Sequence, residues 1–247
     1  MMPERYDIRN WKHIMGKMIQ LFILPFAGGS AAAFDKLIRC MDKRVETIAL
    51  EYAGHGNRKQ ESFYQDYQSM LADVEEQICR YWTHLPYSIL GYSMGGNLAF
   101  DLISGNKMGE KPVHAFICAR DAVYQRGLSY SYHLLSDADF SEKMISLGGI
   151  DKRIAANSKF LSIYMKPIRE DYRLLSQFQY KEGSVIPCDT TIIYSKQDMP
   201  YERVKGWSKL SKGMVDFYEM GNNHFFIFED YRKIADIINE KLCSVMV

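Results

Sequence analysis

Short apolar segments alternate with amphipathic segments along most of the chain, and this alternation limits the folds open to it. The apolar segments predict strands at residues 21–24, 45–50, 87–90, 113–119, 190–194 and 215–218. Apolar residues at three-and-four spacing predict helices at residues 64–82, 95–103 and 230–242. Strands that alternate with helices pair in parallel through right-handed crossovers. We therefore expect an α/β fold, with a mostly parallel central sheet and helices on both faces.

About 70 residues separate the predicted strands at 113–119 and 190–194. A structureless loop of that length is uncommon in a compact domain. Ser136 with Asp139 resembles a helix start, and Leu161 to Leu175 repeats apolar residues at helical spacing, with Pro167 expected to kink the helix. We expect a single domain over 1–247, with a helical cap, or lid, inserted at about 127–180 over the carboxyl edge of the sheet.

The composition excludes some classes of protein. With 31 basic and 30 acidic residues the net charge is +1, which argues against a nucleic-acid binder. The five cysteines are odd in number and form no CxxC pair, a usage typical of a reducing cytoplasm. No signal peptide is visible, and no apolar run approaches the ~20 residues that span a bilayer. We expect a cytoplasmic protein with no membrane segment.

Gly91 to Gly95 form a G-x-S-x-G segment between a predicted strand and a predicted helix. This context is typical of a nucleophile on a sharp turn, where side chains at the glycine positions would collide. The turn would expose the Ser93 hydroxyl and place the Met94 N–H at a helix start, where it can bind an oxyanion. Chance also produces this pattern in roughly one chain in ten.

A serine nucleophile needs a base, and its partners in the α/β-hydrolase arrangement follow it in the order acid, then histidine. The histidines after Ser93 are His114, within a predicted strand, His133, in the predicted cap, and His224. His224 follows the last predicted strand in a loop that can reach the serine. We therefore predict that His224 is the base.

Two aspartates compete for the role of the acid. Asp198 follows the strand at 190–194, and Asp121 follows the strand at 113–119. Both are strand-end positions, and Pro200 favours a turn at Asp198. We predict Asp198 as the acid, and Asp121, the alternative, as a surface turn residue.

The segment Pro25 to Ser30 ends the first predicted strand with Gly28 and Gly29. Glycines let backbone N–H groups face a substrate oxygen. We predict the N–H of Phe26 or Ala27 as a second oxyanion donor beside Met94, with a plain tight turn as the alternative. The chain contains no H-E-x-x-H, no P-loop and no G-x-G-x-x-G after a strand, so neither a metal nor a nucleotide is indicated.

These motifs together resemble the stand-alone type II thioesterases of nonribosomal peptide and polyketide synthesis. The resemblance covers most of the chain: the segments 25–30, 52–58, 91–96, 135–140, 147–149, 167–171 and 221–226. The segments in the predicted cap are the specific part, because other esterases share only the serine motif. Two residues depart from the family pattern: Tyr92 stands where a histidine is frequent, and Ala53 where a proline is common.

The resemblance implies an α/β-hydrolase fold with Ser93, Asp198 and His224 as the catalytic triad. It implies hydrolysis of acyl thioesters on the phosphopantetheine arm of carrier proteins, with these carrier domains as partners and no cofactor of the enzyme's own. Nothing in the sequence demands more than a monomer. The alternatives are a medium-chain fatty-acyl thioesterase, a small-ester esterase and a non-catalytic binding protein of the same fold.

Two further expectations concern the surroundings of the triad. Met144, Phe160, Tyr164 and Met165 in the cap suit either an adaptable apolar pocket or simple helix packing. His55 is expected to be a solvated loop residue, with a place at the entrance of the site as the alternative.

Overall fold

A computed structural model of the chain describes residues 18–125, 128–150 and 156–245. In these residues six strands form one sheet in the order β2-β1-β3-β4-β5-β6, and every neighbouring pair is parallel. The strands are β1 Ile19–Leu24, β2 Val45–Ala49, β3 Tyr87–Tyr92, β4 His114–Cys118, β5 Thr190–Tyr194 and β6 Val215–Glu219. The predicted parallel sheet is confirmed.

The helices of the same residues connect these strands, except for the last one, which follows β6. They are α1 Asp35–Ile38, α2 Tyr67–Tyr81, α3 Met94–Ser104, α4 Asp137–Ser146, α5 Ser158–Leu175, α6 Tyr201–Val204 and α7 Tyr231–Ser244. Short 3-10 helices occupy Ala31–Phe34, Gly56–Arg58, Leu128–Leu134, Lys205–Lys209 and Phe226–Phe228. The described helices start and end within three residues of the predicted bounds at 64–82, 95–103 and 230–242.

The direction of the crossovers places helices on both faces of the sheet. The chain moves outward from β1 through α1 to β2 and returns through α2 to β3, on the other side of β1. Right-handed connections in opposite directions put α1 and α2 on opposite faces. The Asn239 side chain of α7 accepts the Asp42 N–H and donates to the Cys40 carbonyl, which holds α7 beside α1. The prediction of helices on both faces is confirmed.

Burial is greatest in the interior of the sheet. All residues of β1, β3, β4 and β5 are buried, whereas the edge strands β2 and β6 are mostly half-buried. Strands covered on two faces are mostly apolar rather than alternating. The buried polar residues in these four strands are Gln20, Ser88, His114, Thr190 and Thr191.

Two helices, α4 and α5, lie between β4 and β5, where the sequence predicted helices. Ser136 caps α4, since its hydroxyl accepts the Asp139 N–H at 3.1 Å. We call residues 128–150 and 156–175 the helical insertion. A lid role, a kink at Pro167, the bounds 127–180 and the single domain 1–247 stay predictions; residues 127 and 151–155 lie outside the described residues.

Two general features of the sequence can be compared with the structure. All five cysteines are free thiols, and Cys118 is buried. Among the described helices, none combines the length and the apolar character needed to cross a membrane.

Candidate active site

The predicted nucleophile lies on a tight turn between β3 and α3. Ser93 has a positive φ of 52°, a strained conformation for a residue with a side chain, and its N–H donates to the Cys118 carbonyl at 2.8 Å. A Cβ on Gly91 would lie 2.3 Å from the Gly95 carbonyl oxygen, and a Cβ on Gly95 would lie 2.1 Å from the Leu24 carbonyl oxygen. The turn therefore requires both glycines of the motif, and it presses the start of α3 against the end of β1.

Ser93, His224 and Asp198 form a chain of polar contacts. His224 Nε2 lies 2.9 Å from Ser93 Oγ, and His224 Nδ1 lies 2.6 Å from Asp198 Oδ2. Because a carboxylate can only accept, Nδ1 carries the hydrogen, and Nε2 of the neutral ring is free to accept the hydroxyl hydrogen of Ser93. The structure thus brings together the three side chains predicted from the sequence, in the geometry of a nucleophile, a base and an orienting acid.

The backbone around His224 is fixed by a residue that sequence reasoning missed. The Tyr92 hydroxyl donates to the His224 carbonyl at 2.7 Å, and Tyr92 is fully buried. The Asn223 side chain accepts the Phe225 N–H at 2.7 Å and closes the same loop. Tyr92 was noted in the sequence only as a departure from the family pattern, which pointed to no contact.

Asp121, the alternative acid, pairs with a different partner. Its carboxylate accepts a hydrogen bond from the Arg203 guanidinium. Its side chain is only 13% exposed and lines the same cavity as Ser93, so the prediction of a surface turn residue is wrong. Burial raises the pKa of Asp121, and the Arg203 and Arg120 charges oppose that rise. The carboxylate that contacts the His224 ring belongs to Asp198.

The glycine loop at the end of β1 forms a tight turn next to the serine. The Gly29 N–H donates to the Phe26 carbonyl at 2.8 Å, and Gly28 has a φ of +75°, as at the third position of a type II turn. Ala27 and Ser93 line the same cavity, whereas the Phe26 ring packs against Tyr92. Ala27 is thus the better placed of the two predicted loop donors.

The Met94 amide is the other predicted donor. Met94 is the first residue of α3, where helix amides lack intrahelical acceptors. Neither the Met94 amide nor the Ala27 amide donates a hydrogen bond to a described residue. Both N–H groups are therefore available to a ligand oxygen, and their role as oxyanion donors stays a prediction.

A cavity of about 930 Å³ opens at the candidate triad. The sheet edge and the helical insertion line it together, and the insertion contributes Tyr132, Lys143, Leu147 and Tyr172. A much smaller apolar cavity, of about 20 Å³, lies between the glycine loop and the insertion and is lined by Met144, Tyr164 and Ile168 among others. Of the predicted pocket residues, Met144 and Tyr164 line this small cavity, Met165 is buried, and the side chain of Phe160 lies outside the described residues.

His55 is not the solvated residue that the sequence suggested. It is only 4% exposed, and its Nε2 lies 2.9 Å from Oδ2 of Asp171, which is 1% exposed. Asp171 belongs to α5, 116 positions further along the chain, so no local pattern could indicate the pair.

Ala53, two residues before His55, uses its backbone N–H. That N–H donates to the Tyr64 hydroxyl at 2.9 Å, and a proline, which is common at this position in the type II thioesterases, could not make this bond.

The described residues contain no group of three or more His, Cys, Asp or Glu side chains arranged to hold a metal ion.

Residues 19–242, nearly the whole chain, match the thioesterase domain family. The chain belongs to this family of thioester hydrolases. A relative by sequence is the gramicidin S biosynthesis protein GrsT of Aneurinibacillus migulanus, which is 27% identical over 92% of this chain and 90% of that protein.

The solved structures similar to this thioesterase include two from biosynthetic pathways. One is the type II thioesterase BorB from the borrelidin biosynthetic cluster, with a TM-score of 0.80 and 26% identity over 91% of this chain and 92% of that one. The other is ClbQ from the colibactin NRPS/PKS pathway, with a TM-score of 0.84 and 24% identity over 92% and 97% of the two chains. At that identity the likeness to ClbQ demonstrates the fold alone, and the fold is the one that the sequence predicted.

Proposed function

We propose that this thioesterase is a stand-alone type II enzyme that hydrolyses acyl thioesters on the phosphopantetheine arm of carrier proteins in nonribosomal peptide or polyketide synthesis. The observation that carries the proposal is the contact chain from Asp198 through His224 to Ser93, which faces a cavity of about 930 Å³. GrsT is a gramicidin S biosynthesis protein and BorB is a type II thioesterase from the borrelidin biosynthetic cluster, and both relatives support the proposed substrate class.

The first half of the reaction would transfer the acyl group to the enzyme. His224 Nε2 takes the proton of Ser93 Oγ as Oγ attacks the thioester carbonyl carbon. The negative charge that develops on the carbonyl oxygen is held by the Met94 and Ala27 N–H groups. The C–S bond then breaks, the sulfur takes the proton from His224, and an acyl-Ser93 ester remains.

The second half would release the acid by the same groups. Water replaces the thiol, gives a proton to His224 Nε2 and attacks the ester carbonyl carbon. When the C–O bond breaks, the proton passes from His224 back to Ser93 Oγ. Asp198 keeps the imidazole oriented and stabilises its charged form in both halves.

The remaining parts of the proposal concern partners and setting. The acyl group arrives on the phosphopantetheine of a carrier protein, and the enzyme uses no metal or cofactor of its own. We propose a monomer that works in the cytoplasm and binds neither nucleic acid nor membrane.

The test compares one acyl group on three thioesters: a carrier protein, coenzyme A and N-acetylcysteamine, with an aryl ester of the same acid as a fourth substrate. We expect the highest kcat/KM on the carrier-bound thioester, because protein contacts outside the cavity add to those of the arm. The Ser93→Ala variant serves as the control for hydrolysis that does not use the site.

Two results would contradict the proposal. Equal kcat/KM on the carrier and on N-acetylcysteamine would remove the carrier as the preferred substrate and favour a fatty-acyl thioesterase or a small-ester esterase. Failure of a fluorophosphonate to add its mass at Ser93 of the folded protein would favour a non-catalytic binding protein.

A further inference from the structure

We propose that His55 and Asp171 are a positioning pair: together they hold the turn Phe26–Gly29 in the form that presents the Ala27 N–H to the reacting carbonyl. The inference rests on the proposed acyl transfer to Ser93, but not on a carrier protein as the substrate. Neither residue lines the cavity of about 930 Å³, so both act through the turn rather than on the substrate.

The contact with the turn is made by a single oxygen of Asp171. Oδ2 accepts the Gly28 N–H at 2.7 Å, and the same atom lies 2.9 Å from His55 Nε2 in a contact bent away from ideal hydrogen-bond geometry. The Gly28 N–H belongs to the peptide that joins Ala27 to Gly28, the central peptide of the turn. Rotation of that peptide converts one turn type into another, so an acceptor fixed on its N–H selects one turn type. The Ala27 N–H lies on the preceding peptide, so the pair acts on it through the conformation of the turn.

The protonation of His55 follows from what surrounds its two nitrogens. Nδ1 lies 3.1 Å from the Ala53 carbonyl oxygen, which can only accept, so Nδ1 carries a hydrogen. Nε2 faces a carboxylate, which would repel the lone pair of a neutral ring. Both nitrogens are therefore protonated, and the pair is a buried imidazolium–carboxylate. Burial disfavours that charge, but Asp171 outweighs it, and the pKa of His55 lies above its usual value.

The pair is enclosed by apolar groups. The rings of Tyr52 and Phe63 meet the His55 ring edge to face, each with centroids 6.0 Å apart. Little water can reach a pair with exposures of 4% and 1%, so the charges are weakly screened and the geometry is tightly held. Removing one partner would leave the other charge buried and uncompensated.

The placement of the pair links three parts of the chain at the site. His55 lies in the loop after β2, Asp171 lies on α5, and Gly28 lies in the glycine loop. α5 also contacts the turn directly, because a Cβ on Gly28 would lie 2.3 Å from Ile168 Cγ1. The helical insertion thus contacts the turn that carries the predicted oxyanion donor, by a hydrogen bond to Asp171 and by packing of Ile168.

The test uses hydrolysis of an acyl-N-acetylcysteamine thioester by the full chain. Asp171→Ala removes the acceptor of the Gly28 N–H, and we expect kcat to fall about 10- to 100-fold while KM changes less than about threefold, as for a displaced oxyanion donor. The matched control is Arg173→Ala. Arg173 lies on the same helix and donates to the Tyr64 and Gln65 carbonyls, but it makes no contact with the turn. We expect its kcat to stay within about twofold.

A second readout separates positioning from stability. A trifluoromethyl ketone forms an oxyanion adduct on Ser93, and its affinity should fall in Asp171→Ala by the same factor as kcat. Asp171→Ala should also lower the thermal unfolding temperature more than Arg173→Ala, because it leaves His55 buried without its partner, so both assays are made well below the unfolding temperature of either variant. In a double-mutant cycle, His55→Ala should lower kcat in the native background and add little in the Asp171→Ala background, because His55 acts through Asp171. Equal losses of kcat in Asp171→Ala and Arg173→Ala, or additive losses in the cycle, would overturn the proposal.

Asp171→Asn is the variant to test if Asp171→Ala does not fold. Its amide oxygen can still accept the Gly28 N–H, so we expect kcat within about tenfold of the native value. A folded Asp171→Asn protein with no measurable hydrolysis, yet normal fluorophosphonate labelling of Ser93, would contradict the inference without touching the proposed function. Loss of labelling in the native protein would instead refute the proposed function itself.

Discussion

Asp198 and Asp121 both stand near the candidate triad, but they have different partners and are expected to have different roles. Asp198 contacts His224 Nδ1 at 2.6 Å, whereas Asp121 is neutralised by Arg203 on the wall of the same cavity. A carboxylate that orients a histidine determines which ring nitrogen carries the hydrogen. The carboxylate paired with Arg203 can only influence the triad through its charge.

This difference predicts unequal effects of the same substitution. Asp198→Asn should lower kcat by about 10³- to 10⁴-fold, because the amide stabilises the wrong tautomer of His224. Asp121→Asn is the matched control and should change kcat less than about tenfold. Steady-state kinetics on a simple thioester measures both, and a larger loss in Asp121→Asn would transfer the role of the acid to Asp121.

Tyr92 offers a prediction about how His224 is held. Tyr92→Phe removes the hydroxyl that donates to the His224 carbonyl at 2.7 Å and leaves the ring in place. We expect the free energy of unfolding to fall by about 1–2 kcal/mol, since a partly buried carbonyl loses its donor, and kcat to fall several-fold as His224 shifts. Urea unfolding and thioester kinetics test this. An unchanged kcat would mean that Asp198 alone positions His224.

At the scale of elements, one arginine of α5, Arg169, contacts the other two helical segments of the insertion. Arg169 donates to the His133 and Leu135 carbonyls at 2.8 and 2.7 Å, and its guanidinium lies 4.1 Å from the centroid of the Phe140 ring in α4. One side chain thus ties α5 to α4 and to the carbonyls at the end of the short helix Leu128–Leu134.

Loss of this arginine should loosen the insertion without unfolding the sheet. In Arg169→Ala we expect amide hydrogen exchange in α4 to accelerate about tenfold or more, and exchange in β3 and β4 to stay unchanged, because local opening of an element needs fewer broken contacts than global unfolding. Lys233→Ala, on an exposed residue of α7, is the control. Uniform acceleration over the whole chain would show instead that the insertion and the sheet unfold as one unit.

Elements with a strong local pattern were predictable, and contacts between distant elements were not. The strands β1, β3, β4 and β5 are buried on both faces, so their sequences are mostly apolar and easy to recognise. Helix α2 begins three residues later than predicted, because Asp66 and Ser69 form a capping box. His55 and Asp171 are far apart in the sequence and meet between the loop after β2 and α5, and no local pattern indicates which residues meet there.

For the whole molecule, the parallel sheet explains why the candidate triad could be predicted and its supports could not. All six strands point the same way, so the residues that follow β3, β5 and β6 reach one edge of the sheet, and Ser93, Asp198 and His224 stand at those three positions. Strand order and chain order are enough to bring them together. The hydrogen bonds from Tyr92 and to Gly28 depend on packing details that the topology leaves open.

The sheet also contains a histidine that should make the stability of the molecule depend on pH. His114 is 6% exposed in β4, and its Nε2 lies 2.8 Å from the Thr191 hydroxyl oxygen. Burial lowers its pKa to about 4 from an ordinary value of 6.5. Among the charges that act on it, Asp189 and Asp216 favour protonation and Lys241 opposes it.

The sign of the effect follows from which state binds the proton first. Above pH 6.5 neither state is protonated at His114, and the group contributes nothing to pH dependence. Between pH 6.5 and about 4 the unfolded chain binds a proton at His114 that the folded protein does not. The free energy of unfolding should therefore decrease as the pH is lowered from 6.5 to about 4, by at most about 3 kcal/mol. His114→Gln cannot titrate, and denaturant unfolding from pH 7 to 4 should give it a shallower acid limb than the native protein, whatever its stability at pH 7. Parallel limbs in the two proteins would mean that other groups, such as carboxylates in ion pairs, produce the acid sensitivity, and that His114 takes up its proton equally in the folded and unfolded states.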